Sequence, residues 1–219
     1  MRRRRPLSRR LRKNDENPFW LSISDLMAVL MLIFVFFTSV ALAHISENEV
    51  QSKIFALLVK ELKQVNIEVE INEEHGTISI ADKILFNTNE ADLKPEGEVF
   101  LAKFVPILER VLFAEAEIAE EIISVDIEGY TSQNFMSPEF RKKMMDLSLG
   151  RSESVWTYIN SFDGLDHEEA FLKKLKVCGW GNMKARSEYD DSEDRRVTFQ
   201  LQFKGQFEKL KDTLVKFSG

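Results

Sequence analysis

The sequence predicts a single N-terminal membrane-crossing helix followed by an α/β sandwich, a mixed sheet with helices on one face. Three observations carry that prediction. Residues 21–43 form one long, nearly uninterrupted apolar run. Beyond residue 65, apolar residues alternate with polar ones in short runs, which is strand spacing. Between those runs apolar residues recur three and four apart, which is helix spacing, and strands interleaved with helices around one sheet make a two-layer α/β domain.

Residues 1–17 are a basic leader containing Arg2, Arg3, Arg4, Arg5, Arg9, Arg10, Arg12 and Lys13, and residues 18–43 are the span. The 23 residues from Leu21 to Ala43 cover about 34 Å as a helix, enough for a hydrocarbon core of about 30 Å. The leader sets the orientation by the positive-inside rule, with the N-terminus in the cytoplasm and Glu47 onward outside. A cleaved export signal is the competing reading, with an apolar stretch from Leu26 to Phe37, Ala41-Leu42-Ala43 as cleavage site and Ser8-Arg9-Arg10 as a twin-arginine hint. The length of the run, Trp20 at its start and Asp25 within it favour a retained anchor.

The net charge of −6 hides an asymmetry, because residues 44–219 hold 22 basic and 33 acidic residues, a net of −11. An acidic exported part argues against direct nucleic-acid binding. The single cysteine, Cys178, excludes an internal disulfide, and its apolar neighbours predict a buried strand thiol. His44, His75 and His167 lack metal-ligand spacing, so no metal and no cofactor is expected, and the chain is read as a non-enzyme.

After the span, Val50, Ile54, Leu57, Leu58 and Leu62 keep helical spacing, which predicts a short helical stalk over 44–64 and a domain over 65–219. Ile67, Val69 and Ile71, then Glu74-His75-Gly76, then Ile78 and Ile80 predict a hairpin over 67–80. Pro95 pre-sets a helix over 95–113, in which Pro106 is expected to kink or tighten the middle. There follow a strand over 122–129, helices over 147–162 and 167–174, strands over 175–179 and 196–203, and a C-terminal helix over 207–217.

Four ordered blocks are more specific: Leu85-Phe86-Asn87-Thr88-Asn89-Glu90-Ala91-Asp92-Leu93-Lys94-Pro95-Glu96-Gly97; Ile127-Glu128-Gly129-Tyr130-Thr131; Leu147-Ser148-Leu149-Gly150-Arg151-Ser152-Glu153-Ser154-Val155; and Asp194-Arg195-Arg196-Val197. Together they resemble the peptidoglycan-binding domain of the OmpA C-terminal family over residues 67–203. The resemblance implies peptidoglycan as a partner and Tyr130, Thr131, Ser132, Leu147, Arg151 and Arg195 as its binding residues. In that family an aspartate takes the ammonium, and an arginine the carboxylate, at the zwitterionic end of diaminopimelate in the wall peptide. Arg151 matches the arginine, but Ser132 stands in the aspartate's place and Met144 where an asparagine is usual. Asp146 and Glu139 are the nearby acids that would have to reach in instead. The competing reading pairs Arg151 and Arg195 with Asp194 or Glu128, in a fold kept for dimerisation.

The leader, Pro18-Phe19-Trp20 and the Ser22-Ile23-Ser24-Asp25-Leu26-Met27 step that opens the span resemble the B subunit of the flagellar stator, MotB. The resemblance implies that Asp25 carries the ion, a proton. A protonated carboxyl passes an apolar surface, whereas an ionised one needs a polar cavity or a cation. One helix has no walls, so the implied assembly is a homodimer inside a ring of a multi-span MotA- or ZorA-like subunit in the bacterial inner membrane, with the C-terminal domain in the periplasm. The brief stalk, the arginine-rich start and the altered second block look more like the MotB-like subunits of Zorya anti-phage defence systems, which implies a wall-anchored motor driven by the proton-motive force. A flagellar stator proper and a static OmpA-like wall anchor are the alternatives, and the OmpA-like blocks argue against ExbD and TolR energisers.

Overall fold

The computed structural model describes residues 18–132, 137–185 and 191–205. The basic leader and the expected helix over 207–217 lie outside the described residues. The chain divides into two compact units, residues up to Ser46 and residues from Glu47. Helix α1 (Pro18–Gln64) contributes to both.

In the first unit, Ile23–Val40 is an 18-residue stretch of mean hydropathy 2.3, long and apolar enough to cross a membrane. Its backbone polar groups are satisfied within the helix, as hydrocarbon requires. Thr38 and Ser39 turn their hydroxyls back onto the Val35 carbonyl, at 2.9 and 2.8 Å. That leaves Asp25 as the one ionisable side chain in the stretch.

The second unit begins earlier than the sequence reading placed it. Residues 44–64, expected as a stalk, supply Ile54, Phe55, Leu58 and Leu62 to the hydrophobic core, each 0–2% exposed. Lys53 pairs with Glu115 and Glu61 with Arg110, at 2.7 and 2.8 Å, while the Gln51 amide donates to the Glu73 carbonyl. An apolar stripe of this kind left in water would forgo about 1.5–3 kcal/mol for each large side chain, so the helix packs as a layer of the domain. It ends in a Schellman turn in which Asn66 has φ 54° and the Ile67 N–H bonds to the Leu62 carbonyl at 3.0 Å. Leu62 and Ile67 are both buried, which is the hydrophobic contact that accompanies this turn.

The sheet contains β1 (Glu70–Asn72), β2 (Thr77–Ala81), β3 (Ile122–Tyr130), β4 (Leu175–Gly179) and β5 (Arg196–Phe203) in the order β1-β2-β5-β3-β4. Only β3 and β4 run parallel, so the sheet is mixed. Gly76, at φ 68°, and a bond from the His75 N–H to Asn72 Oδ1 at 3.0 Å make the turn between β1 and β2. Ile78, Ile80, Val125, Ile127, Val197, Phe199 and Leu201 are buried on one face, alternating with Ser79, Asp126, Glu128, Thr198 and Gln200 on the other.

The helices of the domain after α1 are α2 (Asp82–Leu85), α3 (Pro95–Leu112), α4 (Ala116–Glu121), α5 (Pro138–Asn160) and α6 (Glu168–Leu172). Leu101, Phe104 and Leu108 of α3 and Val155 and Ile159 of α5 join the apolar face in one core, with the Phe104 and Phe199 rings 5.1 Å apart. Helix α3 runs through Pro106 without interruption. Helix α5 starts at Pro138 rather than Leu147, because Pro138 opens it and the polar Arg141-Lys142-Lys143 hides its apolar period. Cys178 is half-buried rather than buried, since β4 is an edge strand.

Candidate functional site

Strand register brings the first two site residues together. Ala81 of β2 faces Arg196 of β5, so the next residues out, Asp82 and Arg195, lie side by side, and the Asp82 N–H bonds to the Arg195 carbonyl at 3.1 Å. Helix α5 then crosses β3 and β4 at very short range. A Cβ on Gly129 would lie 1.9 Å from the Ser148 carbonyl oxygen, so only glycine fits the second block at that point. Ser148 and Ser152, one turn apart, lock the crossing: the Gly181 N–H donates to Ser148 Oγ at 2.8 Å, and Ser152 Oγ lies 2.8 Å from the Cys178 carbonyl. Gly129→Ala is therefore expected to cost stability at the upper end of the about 1–3 kcal/mol typical of overpacking. Thermal unfolding checks it, and an unchanged midpoint would mean that α5 can move off the sheet freely.

This crossing aims Arg151 into a pocket of about 630 Å³ that is also lined by Thr131, Ser132, Leu147 and Arg195. Five of the six residues expected to bind the wall thus share one cavity. Tyr130 does not, because strand alternation turns it to the other side of the sheet from Gly129. There its hydroxyl donates to Glu128, and the Arg196 guanidinium lies 4.5 Å from its ring centroid. Burial first, and Glu128 second, raise the Tyr130 phenol above its usual pKa.

Arg151 is 1% exposed. Its Nη1 lies 3.1 Å from Asp82 Oδ2, its Nε donates to the Glu90 carbonyl at 3.0 Å, and its guanidinium is 5.2 Å from the Phe86 ring centroid. The Nη1 contact pairs the two charges in a buried setting. Burial lowers the Arg151 pKa from its usual value, and Asp82 opposes that shift. Arg195 Nε approaches the same Asp82 oxygen at 3.6 Å, so one carboxylate serves two guanidiniums. Glu128 bonds Tyr130, and Asp194 lies 3.9 Å from Arg196.

Asp82 is the site residue that sequence reasoning missed. No motif flags it, and only the pairing of β2 with β5 puts it beside Arg195. Lys83, Lys94 and Lys143 also line the pocket, whereas Glu139 and Asp146 are exposed and do not. Met144, in the place of the family's usual asparagine, is a buried part of the wall.

In the first unit, Asp25 lies on an exposed face of α1, followed by apolar residues through Phe37. One and two turns further along the helix, Val29 and Leu32 are both apolar.

No protein-family model matches the chain. It is 27% identical over 216 residues to Zorya protein ZorB of Escherichia coli strain ATCC 8739, covering 87% of this chain and 90% of that protein. The match to Zorya protein ZorB of Escherichia coli O139:H28 is 23% over 220 residues, covering 89% and 85%. The chain is similar to ZorB along most of its length. Among solved structures, the ZorB-like chain resembles a MotB-like protein of Desulfovibrio vulgaris at a TM-score of 0.53 and 20% identity, covering 74% of this chain and 96% of that one. That likeness shows the fold, a MotB-like α/β sandwich, and the ZorB-like chain has in addition one N-terminal apolar helix among the described residues.

Proposed function

We propose that the chain is the ion-carrying, wall-anchored subunit of an inner-membrane motor of the MotA–MotB type, driven by the proton-motive force and serving anti-phage defence. The observation that carries this reading is Asp25, the one ionisable side chain in an apolar stretch of a chain that is similar to ZorB over 87% of its length. A carboxylate in hydrocarbon costs about 2.5–3.5 kcal/mol at mid-helix on insertion scales, and such residues mark ion pathways. In this reading Asp25 alternates between a protonated state that passes the apolar wall of a partner ring and an ionised state that needs a polar cavity. The pocket around Arg151 holds the peptidoglycan, so that the ring turns against a fixed stator axis.

The assembly is a homodimer within a ring of a multi-span ZorA-like subunit, since a lone helix offers neither walls nor a proton path. The N-terminus is cytoplasmic and the domain periplasmic. The full chain, expressed with its neighbouring genes and purified in detergent, is expected to retain residues 1–17 by intact mass and to bring down a multi-span membrane protein. A mature chain that starts at His44, or one that purifies without any partner, would defeat the motor reading.

A further inference from the structure

We propose that Arg195, rather than Arg151, is the cation this pocket offers to a ligand carboxylate, and that Arg151 serves as buried support for Asp82. The inference rests on the wall-binding reading above. The exposures of the three charged side chains carry it. All three line the cavity, yet the Arg151 side chain is 1% exposed, Asp82 12% and Arg195 32%. The charges are layered, with Arg151 innermost, the Asp82 carboxylate in contact with both guanidiniums, and Arg195 outermost. Arg151 is enclosed by three partners: Asp82 Oδ2 at 3.1 Å from Nη1, the Glu90 carbonyl at 3.0 Å from Nε, and the Phe86 ring centroid at 5.2 Å. Drawing it out to a ligand would strip Asp82 of its buried counter-charge, which is costly.

Arg195 is fixed differently. Its carbonyl accepts the Asp82 N–H at 3.1 Å and its own N–H donates to the Ser192 carbonyl at 3.3 Å. The backbone is thereby anchored just before β5, while a third of the side chain stays open. The Asp82 carboxylate comes nearest at Nε, 3.6 Å away. A guanidinium carries five N–H donors, and the edge between its two terminal nitrogens can grip a ligand carboxylate in paired bonds while Nε faces Asp82.

Thr131 supplies an independent pointer to a ligand in the same cavity. It is 2% exposed and lines the pocket, and its Oγ1 is buried without a hydrogen bond. Buried hydroxyls left unpaired are uncommon and costly, and this one can donate to a ligand oxygen. A neutral donor and an outer guanidinium on one cavity suit a carboxylate.

The test uses the full chain in detergent and two forms of the tripeptide L-Ala-γ-D-Glu-meso-diaminopimelate, unmodified and amidated on the carboxylate beside its free amine. In the unsubstituted protein, amidation is expected to weaken binding by about tenfold or more, the loss of a charge-assisted contact. Arg195→Ala, and Arg195→Gln as a second variant closer in size, should bind the two forms within about threefold of each other, because the group that tells them apart is gone. Arg151→Lys should lower the thermal midpoint and yet keep the amidation penalty, whatever its effect on overall affinity. A penalty that survives in a folded Arg195 variant, or one that Arg151→Lys abolishes, would overturn the inference and leave wall binding standing. So would equal binding of the two forms by the unsubstituted protein, or retention on purified sacculi without affinity for either tripeptide. Failure to bind either sacculi or peptide would remove the wall-binding reading and the inference with it.

Discussion

Asp25→Asn is expected to reduce phage protection to that of undefended cells while leaving membrane insertion and partner assembly intact. Asparagine keeps the size of the side chain and both kinds of hydrogen-bonding group, but it cannot gain and lose a charge. It is also easier to place in hydrocarbon than a carboxylate, so insertion should not suffer. The surrounding residues from Leu26 to Phe37 are all apolar and offer no second titratable group to take over. Asp25→Glu, which keeps the charge on a side chain one methylene longer, should retain part of the protection. The measurement is plaque formation in cells carrying the complete neighbouring gene set, alongside co-purification of the partner. Full protection by the Asn variant would eliminate the ion-carrier role, and loss of the partner would show that Asp25 acts in assembly instead.

The second large effect concerns the domain rather than the membrane. Arg151→Ala is expected to lower stability by about 3 kcal/mol, the low end of the range for removing one member of a buried ion pair. The low end applies because Arg195, 3.6 Å from Asp82, remains to hold the carboxylate that Arg151 leaves behind. The substitution also frees the Glu90 carbonyl and empties the space beneath the Phe86 ring. Against a typical folding stability of about 5–15 kcal/mol, this is a large fraction. Urea unfolding of the full chain, followed by the fluorescence of Trp156 and Trp180, should show an earlier midpoint. An Asp82→Asn, Arg151→Ala double-mutant cycle should return a coupling well above zero. An unchanged midpoint would mean that Arg151 is held for ligand alone. Because Arg151 supports the fold, its loss cannot by itself measure wall affinity.

Much of this was legible before any coordinates. The apolar run with its single acid, the alternation of Ile78 and Ile80, and Pro95 at a helix start are local signals, and each element forms where they put it. The convergence of Thr131, Ser132, Leu147, Arg151 and Arg195 was legible as well, through their order in recognisable blocks. Two expectations differ from the structure, each for its own reason. The stripe of Ile54, Leu58 and Leu62 states that a helix has an apolar face but not what covers it, and here the domain itself does. Tyr130 sits next to Thr131 in the chain, yet strand alternation sends it to the far side of the sheet.

What the sequence by itself determined is the set of local choices: which segment is apolar enough to span, which segments are strand or helix, and which charges are available. Periodicity and composition act over a few residues, so they can be read one segment at a time. What only the tertiary structure decided is which charges meet. Asp82 reaches Arg195 because β2 pairs with β5 in one register, and it reaches Arg151 because Gly129 lets α5 lie against β3. Those contacts join residues far apart in the chain. They arise from packing the whole sheet and its helices at once, and no local pattern encodes them.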